Sequence, residues 1–291
     1  MKTLLAESPG AASAALSQSR PGLLADLRVL SSFFCRQMAM FLSNRTETLF
    51  ALASMSCWAI AYGVMGKFFT KYADPKIKDY LQGCPDYTSF LVIGFLVSLL
   101  VFSARGNVTW LVRSKDFPNL YTAPCSLPII ILGANMWKYC WIFLQVVLFM
   151  VVAYFLFGVT FHVNAGFFAV VGAGIILMTA FDLIGAGFRV ITKGETDPIN
   201  WTIGISGMVL SGQLFPIQAL PPWAQPLCYL HPQYYINTLA RRTMGEGLGI
   251  TAVWRELGGF ALTSLLLLVI GYWIFRLGFR RARVEGTLGY E

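Results

Sequence analysis

Long apolar runs, broken only by small polar residues, dominate the hydropathy pattern of this chain. The clearest is Thr88–Ser103, which contains FLVIGFLVSLLVF. A helix needs about 20 mainly apolar residues to cross a bilayer, whereas strands of a membrane β-barrel alternate over about ten residues. The runs are too long and unbroken for such strands. We therefore predict six membrane-spanning helices, at Glu47–Phe68, Thr88–Ser103, Leu127–Val159, Ala165–Ile191, Ile199–Leu220 and Glu256–Leu277.

The pattern before the first span is that of an amphipathic helix. In Leu23–Asn44, Leu, Phe and Met recur at helical spacing with Arg, Asp and Ser between them. Such a helix lies in the membrane interface, either as a lipid anchor alone or as part of a docking surface. The predicted organisation is a disordered cytoplasmic lead over 1–22, an interfacial helix over 23–46, a six-span domain over 47–277 and a cytoplasmic tail over 278–291.

Composition supports an all-α polytopic membrane protein. Apolar residues make up 56% of the chain, charged residues 12%, and the mean hydropathy is +0.63. A soluble domain carries about 25% charged residues, and half that charge cannot cover a globule of this size with polar surface. The composition therefore excludes disordered, coiled-coil and secreted disulfide-rich proteins.

Lysine and arginine positions predict the orientation. With both termini in the cytoplasm, fourteen of these residues fall on the inner side and seven on the outer side. This agrees with the positive-inside rule and predicts a multi-pass protein of the inner (plasma) membrane. The net charge of +8 then reflects topology and contact with anionic lipids rather than nucleic-acid binding.

Motifs for chemistry are absent from the sequence. It contains no G-x-x-x-x-G-K-[ST] loop, no H-E-x-x-H and no Cys-x-x-Cys, and its two histidines are far apart. We therefore predict no catalytic residue, no metal ligand and no cofactor bound by this chain. Cys84 and Cys228 are both placed on the outer side, where an oxidising compartment would allow a disulfide; two unpaired thiols are the alternative.

Two connections carry more information than the spans. The first, Gly106–Pro118, joins spans two and three on the predicted cytoplasmic side and has the pattern of a short amphipathic helix ended by proline. The second, Ser211–Arg241, lies outside between spans five and six. It is too apolar for a solvated loop and too rich in proline for one straight span. A pair of short re-entrant or outer-leaflet helices, covered by protein, satisfies both constraints.

The second connection carries a recognisable pattern: Ser211-Gly-x-x-Phe-Pro, Leu220-Pro-x-Trp, Pro226-Leu, His231-Pro and Leu239-Ala-Arg241. It resembles the signature region of ABC-2 type transporter permeases, the membrane subunits of ATP-driven exporters of polysaccharides, lipids and drugs. His231 stands where asparagine is common in that family. The signature positions in this sequence are Gly212, Phe215, Pro216, Pro221, Trp223 and Pro232.

The resemblance implies a permease that moves an amphiphilic cargo outward: a lipid-linked glycan, a lipid or a drug. It further implies pairing with a second copy or a paralogue, and contact with cytoplasmic ATP-binding subunits that hold the ATP and Mg. In the family, the loop after span two contacts those subunits, which makes Trp110, Leu111, Arg113 and Phe117 docking candidates here. The alternative is a secondary transporter or a membrane scaffold without an ATPase partner.

Two further groups are candidates inside the spans. Lys138 and Asp182 are both predicted near the inner boundary of neighbouring spans, where an intramembrane ion pair, a cargo role or separate snorkelling would satisfy the charges. Gly204, Gly207 and Ser211 place small residues on one face of span five. Small residues allow close helix approach, so this face either lines a pathway or packs inside the chain.

Overall fold

The computed structural model describes residues 23–72, 80–113, 127–192 and 197–284, and these residues form helices and no strand. The predicted all-α class is therefore confirmed over this part of the chain. A short 3-10 helix spans Ile217–Ala219. The α-helices are α1 Leu23–Ser43, α2 Arg45–Tyr72, α3 Tyr87–Phe102, α4 Asn107–Arg113, α5 Leu127–Phe157, α6 Ala165–Thr192, α7 Pro198–Leu210, α8 Gln225–Leu230, α9 Pro232–Met244 and α10 Ile250–Val284.

Five stretches in the described ranges are long and apolar enough to cross a membrane: α2, α5, α6, α10 and the segment Tyr87–Thr109 formed by α3 and the start of α4. The segment Tyr87–Thr109 is the most buried of the five, since 78% of its most apolar 18 residues lie inside the fold. Its side chains meet Phe149 of α5, Leu177 of α6 and Ile236 of α9 in one apolar core. Asp86 begins α3 by accepting a hydrogen bond from the backbone N of Ser89 at 2.8 Å.

The most extensive helix pair is α6 with α10, and glycine explains how closely the two approach. A Cβ on Gly271 would lie 2.6 Å from the backbone oxygen of Ala180, and one on Gly278 would lie 2.8 Å from the oxygen of Gly187. Any larger residue at these two positions would force the helices apart. Close backbone approach through small residues is the usual way that helices associate in lipid.

The N-terminal helix α1 packs on α5 through aromatic rings. The ring of Phe41 lies 4.2 Å from that of Trp141 between centroids, and Phe34 lies 5.5 Å from Trp137. The helical conformation is interrupted between α1 and α2 at Asn44. The side chain of Asn44 donates a hydrogen bond to Glu47 in the first turn of α2. Helix α1 thus ends at Ser43 and α2 begins at Arg45, two residues before the predicted start of the first span at Glu47; the interfacial position of α1 stays a prediction.

The predicted fifth span, Ile199–Leu220, is wrong as a single helix. Helix α7 ends at Leu210, and Gly212 follows with a φ of 68°. Pro216 then precedes the 3-10 helix and has no N–H to continue a helical ladder. At 1.5 Å per residue, α7 is about 20 Å long, short of the roughly 30 Å of a bilayer core. Apolar composition continues through this region although the backbone turns.

Candidate functional site

The short helix α4 follows α3 after a tight turn. Gly106 adopts a φ of 78° in that turn, a left-handed conformation that glycine tolerates best. The Asn107 amide then donates to the backbone oxygen of Ser103 at 2.7 Å. This turn directs the start of α4 toward Asp182 of α6 and toward the start of α7.

Asp182 of α6 caps the first turn of α4 from a neighbouring helix. It is fully buried, and its Oδ2 accepts from the backbone N of Val108 at 2.6 Å while its Oδ1 accepts from the Thr109 hydroxyl at 3.0 Å. A helix start has N–H groups without intrahelical partners, and an acidic side chain both satisfies them and complements the helix dipole. The carboxylate therefore holds α4 on α6.

Helix α7 joins the same group of contacts through its own cap. Asp197 accepts from the backbone N of Asn200 at 3.1 Å and from the Asn200 side chain at 2.6 Å. Its Oδ2 also lies 2.9 Å from the Thr109 hydroxyl, and Asn200 donates to Asp182 at 3.3 Å. The hydroxyl has one proton for two carboxylates, so it serves one at a time.

Lys138 and Asp182 make no direct ion pair within the described residues; each instead contacts the start of α4. The Lys138 ammonium donates to the Asn107 side chain, whereas Asp182 accepts from the two residues that follow. The physical reason is that the first turn of α4 occupies the space between α5 and α6 and offers the carboxylate nearer donors. We call these contacting residues the polar junction: Asn107, Val108, Thr109, Lys138, Asp182, Asp197 and Asn200.

The docking candidates in the first connection are placed differently from one another. Leu111 is buried, with 4% of its surface exposed, so it packs inside the chain rather than offering a surface anchor. Trp110 and Arg113 belong to α4, and Phe117 lies outside the described residues. The structure therefore removes Leu111 from the candidate docking surface.

The three small residues of the predicted fifth span face this chain's own side chains. A Cβ on Gly204 would overlap the Arg105 guanidinium, and one on Gly207 would overlap the side-chain oxygen of Gln233. Ser211 is fully buried and accepts from the Asn237 amide at 3.1 Å. Within the chain, this face is a packing face.

The second connection, Ser211–Arg241, which we call the signature segment, wraps around a buried arginine. Arg241 of α9 is fully buried and donates to the backbone oxygens of Phe90 at 3.3 Å and Gln213 at 3.1 Å, and to the Gln82 side chain at 3.0 Å. Its guanidinium lies 3.5 Å from the centre of the Phe90 ring. Burial lowers its pKa to about 10, so it stays charged at neutral pH.

These contacts place the predicted signature residues. Gly212 takes its left-handed φ beside this arginine, Pro216 precedes the 3-10 helix, and Pro232 is the first residue of α9. Phe215 is half-buried, whereas Pro221 and Trp223 are exposed. The segment is thus organised by short helices and turns packed against α3 and α6.

Cys84 and Cys228 are both buried and unpaired. Cys84 lies against Gly245, and burial raises its thiol pKa to about 11. Cys228 belongs to α8 and donates weakly to the backbone oxygen of Ala224. The sequence left open a disulfide or two unpaired thiols, and the structure has two unpaired thiols.

Several residues of the site were not predicted. Asp197, Pro198 and Asn200 carry a helix-start signal, since an acidic cap before proline is a common beginning; it was hidden by the run assigned to a single span. Arg241 was named as part of the signature pattern and counted as an outer charge, but it was not predicted to be buried. Its burial leaves no local signal in the sequence.

The family model described as ABC-2 type transporter matches residues 28–244, which is more than half of the 291-residue chain. The matched range includes the polar junction and the signature segment. No curated protein matches the chain.

Proposed function

Because the chain belongs to the ABC-2 type transporter family, we propose that it is the permease subunit of an ABC exporter. In this proposal it moves an amphiphilic cargo outward, driven by ATP hydrolysis in a separate subunit that binds ATP and Mg. The cargo is a lipid-linked glycan, a lipid or a drug. Family membership makes the chain a membrane transport component, and its helices α2, α3, α5, α6 and α10 suit a membrane protein.

The observation that carries the proposal is the polar junction. It ties the short helix of the first connection to three separate membrane helices: Asp182 holds it on α6, Lys138 on α5 and Asp197 near α7. A push on α4 by a cytoplasmic partner would then move these helices as a unit, in the manner of a rigid-body shift. Such a linkage suits a subunit that receives mechanical work from outside its own chain.

The proposed topology keeps both termini in the cytoplasm of a cell whose inner (plasma) membrane holds the protein. Helix α7 starts beside α4, whereas α10 starts at the opposite end of α6, where a Cβ on Gly166 would lie 3.2 Å from the backbone N of Ile250. The chain between them therefore passes from one end of the bundle to the other. We take α7 and the turns after it as a broken crossing, the fifth of six in chain order, with α8 and α9 on the outer side.

In the assembly we propose, two permease chains, either identical or paralogous, sit on two ATP-binding subunits. Helix α1 lies in the inner interface, and Trp110, Arg113 and Phe117 face the ATP-binding subunit. An apolar anchor in a partner pocket contributes most to affinity at such contacts. The polar junction then transmits movement from that contact.

The test is to coexpress the chain with a candidate ATP-binding subunit, purify by a tag on the chain, and measure ATP hydrolysis and cargo export in proteoliposomes. We expect copurification and stimulated hydrolysis. Trp110→Asp and Phe117→Asp should uncouple hydrolysis from export without loss of membrane insertion. Trp254→Asp is the matched control, since Trp254 is 61% exposed at the start of α10, at the end of α6 opposite to α4. Normal coupled export by both variants, or no associated ATPase activity, would contradict the proposal.

A further inference from the structure

A cavity of about 560 Å³ lies beside the polar junction. Its walls come from the turn before α4, the last turns of α6 and the exposed face of α7. The volume is in the range of sites that hold small molecules, about 300–1,000 Å³. The roles proposed above for α4 and the signature segment do not use this space.

The cavity contains more positive charge than it can neutralise internally. Arg105 and Arg189 line it together with a single carboxylate, that of Asp197, so the lining carries one positive charge in excess.

The two arginines keep most of their donors free. Arg105 donates one N–H to the backbone oxygen of Asn200 at 3.1 Å, while the half-buried Arg189 side chain makes no hydrogen bond or ion pair with the described residues. A guanidinium has five N–H donors. The donors left over suit an anion, and planar guanidinium groups match the paired oxygens of phosphate.

An exposed apolar stripe leads away from this charge. Trp201, Ile205 and Met208 also line the cavity, and they are 67%, 61% and 51% exposed. Their spacing of four and three residues places them on one face of α7. Between them Gly204 leaves room for the Arg105 guanidinium, which a Cβ would displace. A cationic pocket that continues into an apolar stripe matches a molecule with an anionic head and an apolar tail.

We propose that this cavity binds the phosphate head group of an anionic lipid, whose tail lies along Trp201, Ile205 and Met208. Arg189 is the main phosphate ligand, and Arg105 supplies a second guanidinium. In the proposed orientation the lipid comes from the inner leaflet. The site requires only this chain and a lipid, so it stands or fails independently of the proposed transport activity.

The experiment uses the purified full chain in detergent micelles and lipids with brominated tails, which quench tryptophan fluorescence on contact. Phosphatidic acid and diacylglycerol with the same tails differ only in the phosphate. We expect saturable quenching by phosphatidic acid in excess of that by diacylglycerol. This excess should be largely lost in Trp201→Phe, since other exposed tryptophans such as Trp58 and Trp273 meet both lipids alike. Arg189→Gln should weaken phosphatidic acid binding about tenfold, the effect of removing one charged hydrogen-bonding partner.

The matched control is Arg276→Gln on α10. Arg276 is exposed and adjoins Phe275, which lies against Gly187 two positions before Arg189; it does not line the cavity. It should bind phosphatidic acid as the unchanged protein does. Arg189→Lys keeps the charge but loses the planar donor pair, so we expect intermediate affinity, and it tests the site even if Arg189→Gln fails to fold.

Three results would overturn the proposal. These are equal affinity in the folded Arg189→Gln or Arg189→Lys protein, equal quenching by diacylglycerol, and an excess of quenching by phosphatidic acid over diacylglycerol that persists in Trp201→Phe. A competition with inorganic phosphate separates the two sources of this head-group chemistry. Displacement only at far higher phosphate concentrations supports a lipid ligand, whereas displacement at the lipid's own concentration would show that the tail contributes nothing and refute the lipid assignment.

Discussion

Replacing Asp182 by asparagine tests the physical basis of the polar junction. The change keeps the shape of the side chain but removes its charge and one of its two acceptor oxygens. Three donors face the carboxylate, from Val108, Thr109 and Asn200. Asparagine must turn its NH₂ group toward at least one of these donors, which replaces a hydrogen bond by a repulsive contact or a rearrangement.

The expected size of the effect follows from the two shorter bonds, at 2.6 Å to Val108 and 3.0 Å to Thr109. A hydrogen bond to a charged group contributes about 2 kcal/mol and a neutral one about 1 kcal/mol. Asp182→Asn should therefore lower the free energy of unfolding by about 2 kcal/mol. Asp182→Ala should lower the free energy of unfolding further, by about 3–5 kcal/mol. It leaves the buried donors of Val108 and Thr109 without an acceptor and removes the negative charge near Lys138.

The assay is reversible unfolding in mixed detergent micelles, followed by far-UV circular dichroism as the denaturing detergent is increased. Asp86→Asn is the matched control, since Asp86 caps α3 through a single bond to Ser89 and asparagine is an equally good cap. We expect that control within about 0.5 kcal/mol of the unchanged protein. Equal stability of Asp182→Asn and Asp86→Asn would refute the reasoning that the buried carboxylate holds α4 in place.

Three further outcomes are expected from the structure. Exchanging the charges in a Lys138→Asp, Asp182→Lys double variant should not restore the export or stability lost by either single variant, because the ammonium would then face the backbone N–H of α4; recovery would indicate a direct pair. Arg241→Met should lower the free energy of unfolding by about 3–5 kcal/mol, because it orphans buried oxygens; detergent titration that finds less than about 1 kcal/mol would contradict this. Maleimide at pH 7 should label the exposed Cys35 and spare the buried Cys84 until the protein unfolds, since few thiols with a pKa of about 11 are ionised there; equal labelling in the folded protein would contradict its burial.

The helices were largely predictable, because one physical signal determines them. Helix α6 begins at Ala165 as expected and ends at Thr192, one residue beyond the predicted Ile191. A run of apolar residues must be helical in lipid, where each backbone polar group needs an internal partner. The same signal failed at α7. Hydropathy does not report that Gly212 takes a left-handed conformation or that Pro216 stands where the helix has already ended.

The site was less predictable, because its contacts join distant positions. Val108 and Asp182 are 74 residues apart, and Gln82 and Arg241 are 159 apart. Single-residue patterns identified Asp182 as an expensive intramembrane charge but could not name its donors. Arg241 was missed for the same reason. A single arginine in a connection between spans is typical of a solvated residue, whereas the fold buries this one among backbone oxygens.

The short length of α4 gives the polar junction its mechanical meaning. A helix of seven residues is too short to be stable alone, since isolated helices below about 12–15 residues are marginal in water. Its conformation therefore depends on the contacts at its first turn, and those contacts belong to α5, α6 and α7. By the same dependence, any partner that shifts α4 must either carry Asp182 and Asp197 with it or break their hydrogen bonds. Because Asp182 is fully buried, a hydrogen bond lost there costs more than one lost at the surface, so moving the helices together costs less than separating them.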